Sequence, residues 1–216
     1  MSSIKSSPNQ RVIVYIDGFN LYFGLRAKGW KKSYWLNLQR LSENILTKKQ
    51  KLVSVKYFTS RISFPPEKVK RQGTFIEALE TLTKVKIYYG HYQSNKSVCR
   101  KCGFIEMTPS EKMTDVNIAV EMLSDAYEDK YDTAILISAD SDLVAPIKTV
   151  HRLFKNKRVV IAFPPARHSF ALKEVAKASF TIGRKKLLCS NFPDEVKKSD
   201  GYILNRPGRW TTKFKK

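Results

Sequence analysis

The residues in this chain best suited to chemistry are aspartates at the ends of apolar runs. In Ile135-Leu136-Ile137-Ser138-Ala139-Asp140-Ser141-Asp142-Leu143, a β-branched stretch stops at two carboxylates one residue apart. The apolar part has the pattern of a strand buried on both faces. Helical spacing follows it, and Pro146 is tolerated near a helix start because its missing N–H is not needed there. Arg11-Val12-Ile13-Val14-Tyr15-Ile16 repeats the arrangement, leading into Asp17-Gly18-Phe19-Asn20. A third carboxylate, Asp115, lies in the first turn of a helix with one stripe of Val116, Ala119, Val120, Leu123 and Tyr127 and a neighbouring one of Asp115, Ala119, Met122 and Ala126, so the helix is apolar over much of its girth. Carboxylates gathered at one sheet edge repel by roughly 4 kcal/mol per pair at about 4 Å and an effective dielectric near 20. A divalent cation is the usual relief. Each residue also has a plainer explanation: Asp17 as a helix N-cap, Asp115 as a charge favoured by the helix dipole. Glu121, two turns further along, is placed too deep in the helix to reach the same edge.

The elements that must bring these groups together alternate in type. Strands are expected at 11–16, 52–58, 84–89, 135–138, 157–163 and 179–182. Helices are expected at 36–46, 65–82, 142–154 and 169–176, with another that carries Asp115 in its first turn and whose stripe reaches Tyr127. Strands separated by helices predict a mainly parallel sheet in an α/β fold, and such sheets bind ligands at the carboxyl ends of their strands. The expected organisation is a disordered tail over 1–10, one domain over 11–190, and a basic tail over 191–216 that is disordered alone and either contacts nucleic acid or is simply solvated. Residues 91–110 interrupt the alternation. Cys99-Arg100-Lys101-Cys102-Gly103 is a CxxCG knuckle, half of a tetrahedral zinc site. His91 is a candidate third ligand and Cys189, His151 or His168 a remote fourth; two unliganded thiols are the alternative.

Composition narrows the partner. The 40 Lys and Arg against 19 Asp and Glu, a formal charge of +21, call for a polyanion, most simply nucleic acid. The stretch from Arg26 to Trp35 mixes cations with aromatics, a combination suited to single-stranded nucleic acid. Trp30 and Trp35 serve equally well as loop anchors in the core. Three cysteines do not make a disulfide framework. Met1 to Gln10 lacks the apolar segment of a secretory signal, and no apolar run approaches the ~20 residues of a membrane span. A cytoplasmic protein is expected.

Three ordered segments resemble the NYN family of the PIN-like nuclease superfamily: Ile16-Asp17-Gly18-Phe19-Asn20, Lys112-Met113-Thr114-Asp115-Val116-Asn117-Ile118-Ala119, and Ser138-Ala139-Asp140-Ser141-Asp142-Leu143. The resemblance covers roughly residues 11–182, and the knuckle is similar to an insertion in bacterial members. It implies a Rossmann-like, three-layer PIN-type domain and a ribonuclease using magnesium or manganese. Carried over, Asp17, Asp115, Asp140 and Asp142 match the acidic positions. Asp17 and Asp140 are expected as primary ligands, with Asp115 and Asp142 acting directly or through water. Asn20, Ser138, Ser141 and Lys112 form an accessory or phosphate-binding set. Met113 and Ala139 stand where glycine is common in the family, a departure in loop geometry. The implied partner is RNA in single-stranded regions, and self-association into a homodimer is common in PIN-like domains. An RNA-binding module with a non-catalytic or regulatory metal site is the alternative. A haloacid-dehalogenase-type phosphohydrolase is disfavoured, because Asp17 is followed by Gly18 and Phe19 rather than by x-Asp. A nucleotide-sugar transferase rests on Asp140-x-Asp142 alone.

Overall fold

The computed structural model describes residues 9–98 and 102–211. Seven strands form the main sheet: β1 (Gln10–Asp17), β2 (Gln50–Ser60), β3 (Val85–Val98), β4 (Ile105–Lys112), β5 (Thr133–Ile137), β6 (Arg158–Phe163) and β7 (Ala178–Thr181). Their spatial order is β4-β3-β2-β1-β5-β6-β7. All neighbouring pairs are parallel except β3 with β4. The chain steps outward from β1 through β2 to β3, then returns and steps the other way from β5. The topological switch point therefore lies between β1 and β5, where open α/β sheets form their ligand crevice.

Among the described residues, seven α-helices flank the sheet: α1 (Gly18–Ala27), α2 (Leu38–Ile45), α3 (Pro66–Glu80), α4 (Thr114–Tyr127), α5 (Val144–Leu153), α6 (Phe170–Val175) and α7 (Arg184–Cys189). Successive strand residues point to opposite faces. Val12, Val14 and Ile16 pack with Leu21, Leu25, Leu38, Leu41 and Leu187 on one side. Ile13 and Tyr15 pack with Ile118, Met122, Ile147, Val150 and Leu172 on the other. Because both faces are covered, these strands read as unbroken apolar runs. No helix among the described residues is long and apolar enough to cross a membrane.

Two expectations change and two open alternatives are decided. The first concerns residues 91–110. β3 continues past Gly90 and pairs antiparallel with β4, His91 opposite Lys112 and Val98 opposite Ile105. The interruption is thus a β-hairpin arm built from a prolonged sheet strand. Cys99 lies outside the described residues, Cys102 and Cys189 are exposed, and no cysteine joins a metal-binding group among the described residues. Of the remote ligands considered, His151 Nε2 accepts the Val159 N–H and His168 lies against Phe163. Second, the chain from 191 to 211 is folded. β8 (Glu195–Lys197) and β9 (Ile203–Asn205) form an antiparallel pair. Phe192, Val196 and Leu204 are buried in the α1–α2–α3 core, and Trp210 packs against Trp35 and Phe75. The basic charge of this segment masks a small apolar set that closes the domain. Third, Trp35 is a core anchor: fully buried, it donates its indole N–H to Pro193 O. Trp30 is half-buried beneath the Arg184 guanidinium. Fourth, of the two α4 stripes the one through Met122 and Ala126 is turned to the core. Val116, Val120 and Tyr127 are exposed, while Ile118, Met122 and Ala126 are buried.

Two features of α4 have measurable consequences. Lys56 on β2 is buried and pairs with α4 through Glu121, at 2.5 Å, and through Asp125, which also accepts the Tyr15 hydroxyl at 2.7 Å. Burial alone would lower the Lys56 pKa, but the bonds to Asp125 and Glu121 outweigh it and hold the value above normal. The contribution of this ion pair is therefore present below the unfolded pKa of about 10.4 and lost as pH rises through the higher folded value. Removing Lys56 leaves buried Asp125 with only the half-exposed Lys130, 3.5 Å away, as a cationic partner. Lys56→Met should lower the unfolding free energy by about 3–5 kcal/mol at neutral pH in urea titrations, and adding Asp125→Asn should recover part of that loss. Met113, at the N-cap of α4, has φ 76°. This left-handed conformation costs a side chain roughly 1–2 kcal/mol and accounts for the preference for glycine there. Met113→Gly should raise the thermal midpoint, by an amount equivalent to about 1 kcal/mol; a lowered midpoint would contradict the strain.

Candidate metal centre at the strand ends

β1 and β5 run side by side, Ile16 opposite Ile137, so their last residues emerge together. Asp17 caps α1, as its type allows: its Oδ1 accepts the Asn20 backbone N–H at 2.9 Å. Its Oδ2 accepts from Asn20 Nδ2 at 2.6 Å and from Ser138 Oγ at 2.9 Å. Ser138 Oγ in turn accepts the Asp140 N–H at 3.0 Å. Asp140 Oδ1 accepts the Asp142 N–H at 3.0 Å, capping a short 3-10 turn over Ser141–Leu143. A run of hydrogen bonds thus links the end of β1 to the position of Asp140.

From the far side of β1, α4 brings up Asp115 in its first turn. Carboxylate oxygens of Asp115, Asp140 and Asp142 lie within 4.8 Å of one another. Asp115 and Asp140 are half-buried and Asp142 is exposed. Neither Asp140 nor Asp142 forms an ion pair with a described residue. At such separations each pair of charges repels by about 1 kcal/mol in water and about 4 kcal/mol at an effective dielectric of 20. The donor set is all oxygen and anionic, the chemistry that hard divalent cations take, so the residues present fit such an ion.

Asp17, expected beside Asp140 as a primary ligand, is buried and is not among the three whose oxygens meet; both its oxygens accept hydrogen bonds from Asn20 and Ser138. Burial is the main cause that raises its pKa, against the pull of those hydrogen bonds. Asp142 takes a place in the cluster itself. Ser138 is fully buried and Asn20 nearly so, both within the linking network. Ser141 is exposed at the first position of the 3-10 turn. The side chain of Lys112, at the end of β4, lies outside the described residues.

Gly18 is required by space rather than by turn conformation. A Cβ there would meet Phe58 O at 2.7 Å and the Tyr57 ring at 2.8 Å. The bare backbone lets α1 start hard against β2 and fixes where Asp17 can point. One participant escaped the sequence reading. Arg167, in the loop after β6, donates to Asn20 Oδ1 at 2.7 Å and lies over Phe23. Its only signal was position, just beyond the carboxyl end of an apolar strand.

Comparison with known proteins agrees with this geometry. The family model described as the NYN domain matches residues 11–183. A curated relative, 6-hydroxy-3-succinoylpyridine 3-monooxygenase HspA of Pseudomonas putida, is 27% identical over 189 residues, covering 71% of this chain. The chain spans 59% of that relative's length. A crystal structure of a protein of unknown function, VPA0982 of Vibrio parahaemolyticus, superposes with a TM-score of 0.57 at 19% identity, covering 84% of this chain and 98% of that one. At that identity the likeness speaks for the fold alone. The family match spans most of the domain and contains the aspartates of both strand ends and of α4, and on that ground the chain belongs to the NYN domain family.

Proposed function

We propose that the chain is a divalent-metal-dependent endoribonuclease acting at Asp115, Asp140 and Asp142, with magnesium or manganese as the cation, in the cytoplasm. The observation that carries the reading is the convergence of these three carboxylates at the switch point of a nuclease-like fold. A bound cation would lower the pKa of an attacking water and offset charge developing on the phosphate. The chain's own residues do the rest. Asp115, Asp140 and Asp142 hold the ion. Asp17 acts through Ser138 as a positioning residue that orients Asp140. Asn20 links Asp17 to Arg167, whose remaining N–H groups are suited to a phosphate oxygen. The excess of 40 basic over 19 acidic residues favours a polyanionic substrate.

The name of the Pseudomonas relative describes oxygenation of a substituted pyridine. The match is partial and distant, and the acidic cluster is what favours phosphodiester hydrolysis here. The alternative within the same fold is an RNA-binding module whose cation is regulatory.

Incubation with labelled single-stranded RNA and Mn²⁺ or Mg²⁺ separates these readings. Cleavage should appear with either ion and stop with chelator. Asp140→Asn should reduce it to the chelated level, and Ser138→Ala should lower it about 10–100-fold, the usual effect of losing a group that orients a metal ligand. Undiminished cutting by Asp140→Asn would overturn the assignment, and RNA binding without any cutting would favour the binding module.

A further inference from the structure

A groove runs beside Gly18, the residue that follows Asp17. Its volume is about 530 Å³, and residues of α1 and α3 line it together with Tyr34 and Trp210. Its lining includes Gly18 and Phe19, directly after Asp17, and Thr59, one residue beyond the β2 residue that pairs with Asp17. From there it follows α1, whose 10 residues span about 15 Å.

The lining chemistry is one-sided. Arg26, Lys31, Lys68, Arg71 and Arg209 are present, and no Asp or Glu is among the lining residues. None of these five cations forms an ion pair with a described residue. Aromatic rings alternate with them. Tyr22 is 40% exposed and sits 5.2 Å from Tyr34, and Phe64 at the rim is 79% exposed. A ring left that far in water gains nothing for the fold.

We infer that this groove seats the unpaired RNA segment flanking the bond to be cut, an inference that rests on the ribonuclease reading. Several spaced cations exceed what one small anion needs and match a chain of phosphates. Open rings match unpaired bases, whose faces a duplex would hide. The groove ends where Asp17 begins, so a strand lying in it is delivered to the carboxylate edge.

The test is binding of a fluorescent oligouridylate of about ten nucleotides, followed by anisotropy in chelator so that nothing is cut. The full chain should prefer the oligouridylate to duplex RNA of equal length. Lys68→Ala/Arg71→Ala should weaken binding and reduce the slope of log K against log salt by about 1.4, two single-strand phosphate contacts. Phe64→Ala should weaken binding roughly tenfold with the slope unchanged, since it removes stacking and no charge. Unchanged affinity and slope in both variants, or equal affinity for duplex, would overturn the groove. Failure of the ribonuclease reading looks different: binding that depends on the groove, with no cleavage under Mn²⁺, sustains the groove and removes the catalysis.

Discussion

The hydrogen bond from Ser138 Oγ to Asp17 joins strand ends that are 121 residues apart in sequence. The candidate site depends on it. Parallel neighbours deliver their carboxyl ends to the same edge, and the pairing of Ile16 with Ile137 leaves Asp17 and Ser138 side by side. Ser138 donates to the one and accepts from the Asp140 N–H, so the conformation of the β5 loop is set by a residue of β1. Asp17 bears a desolvation cost at this position. Three hydrogen-bond donors offset part of it, as buried charged groups require.

Other acidic residues of the chain show by contrast what is unusual about the cluster. At the opposite, amino ends of β1 and β5, Arg11 binds Asp132 at 2.8 Å and Asp129 at 3.1 Å, and Lys157 pairs with Asp129 and donates to Tyr131 O at 2.6 Å. On α4, Glu121 and Asp125 are held by Lys56. Each of those carboxylates has a cationic partner from the neighbouring framework. Asp140 and Asp142 are instead brought close to a third carboxylate, Asp115. Folding tolerates that repulsion only at an edge open to solvent and ions.

Each face of the sheet contributes to this edge. The α4 side supplies Asp115, and the α1–α3 side supplies the cationic, ring-lined groove. Gly18 lies at the boundary, where the close approach of Phe58 O excludes any side chain. The folded segment from 191 to 211 belongs to the groove side, because Arg209 and Trp210 help to line it. Chain that resembles a basic tail in composition thus completes a wall.

The strands and helices were legible because burial on both faces leaves unbroken β-branched runs, and the gaps between them carry 3.6-residue spacing. Asp17, Asp140 and Asp142 were legible for the same reason: a carboxylate directly after such a run must lie at a sheet edge. The length of β3 was hidden, since the sequence beyond Gly90 is polar and carries no apolar alternation. Phe192, Val196 and Leu204 were too few to stand out from the lysines around them. Helical periodicity alone allowed two stripes on α4, and packing against β1 and β2 chose Ile118 and Met122. Strand order, and with it the choice of edge, is set by contacts between distant segments. The motif order suggested that Asp115 would meet Asp140 and Asp142, but no local stretch records that Ser138 ties Asp17 to the Asp140 loop or that Arg167 reaches Asn20. The sequence by itself determined the elements and the residues at their ends; only tertiary packing decided which of those ends meet.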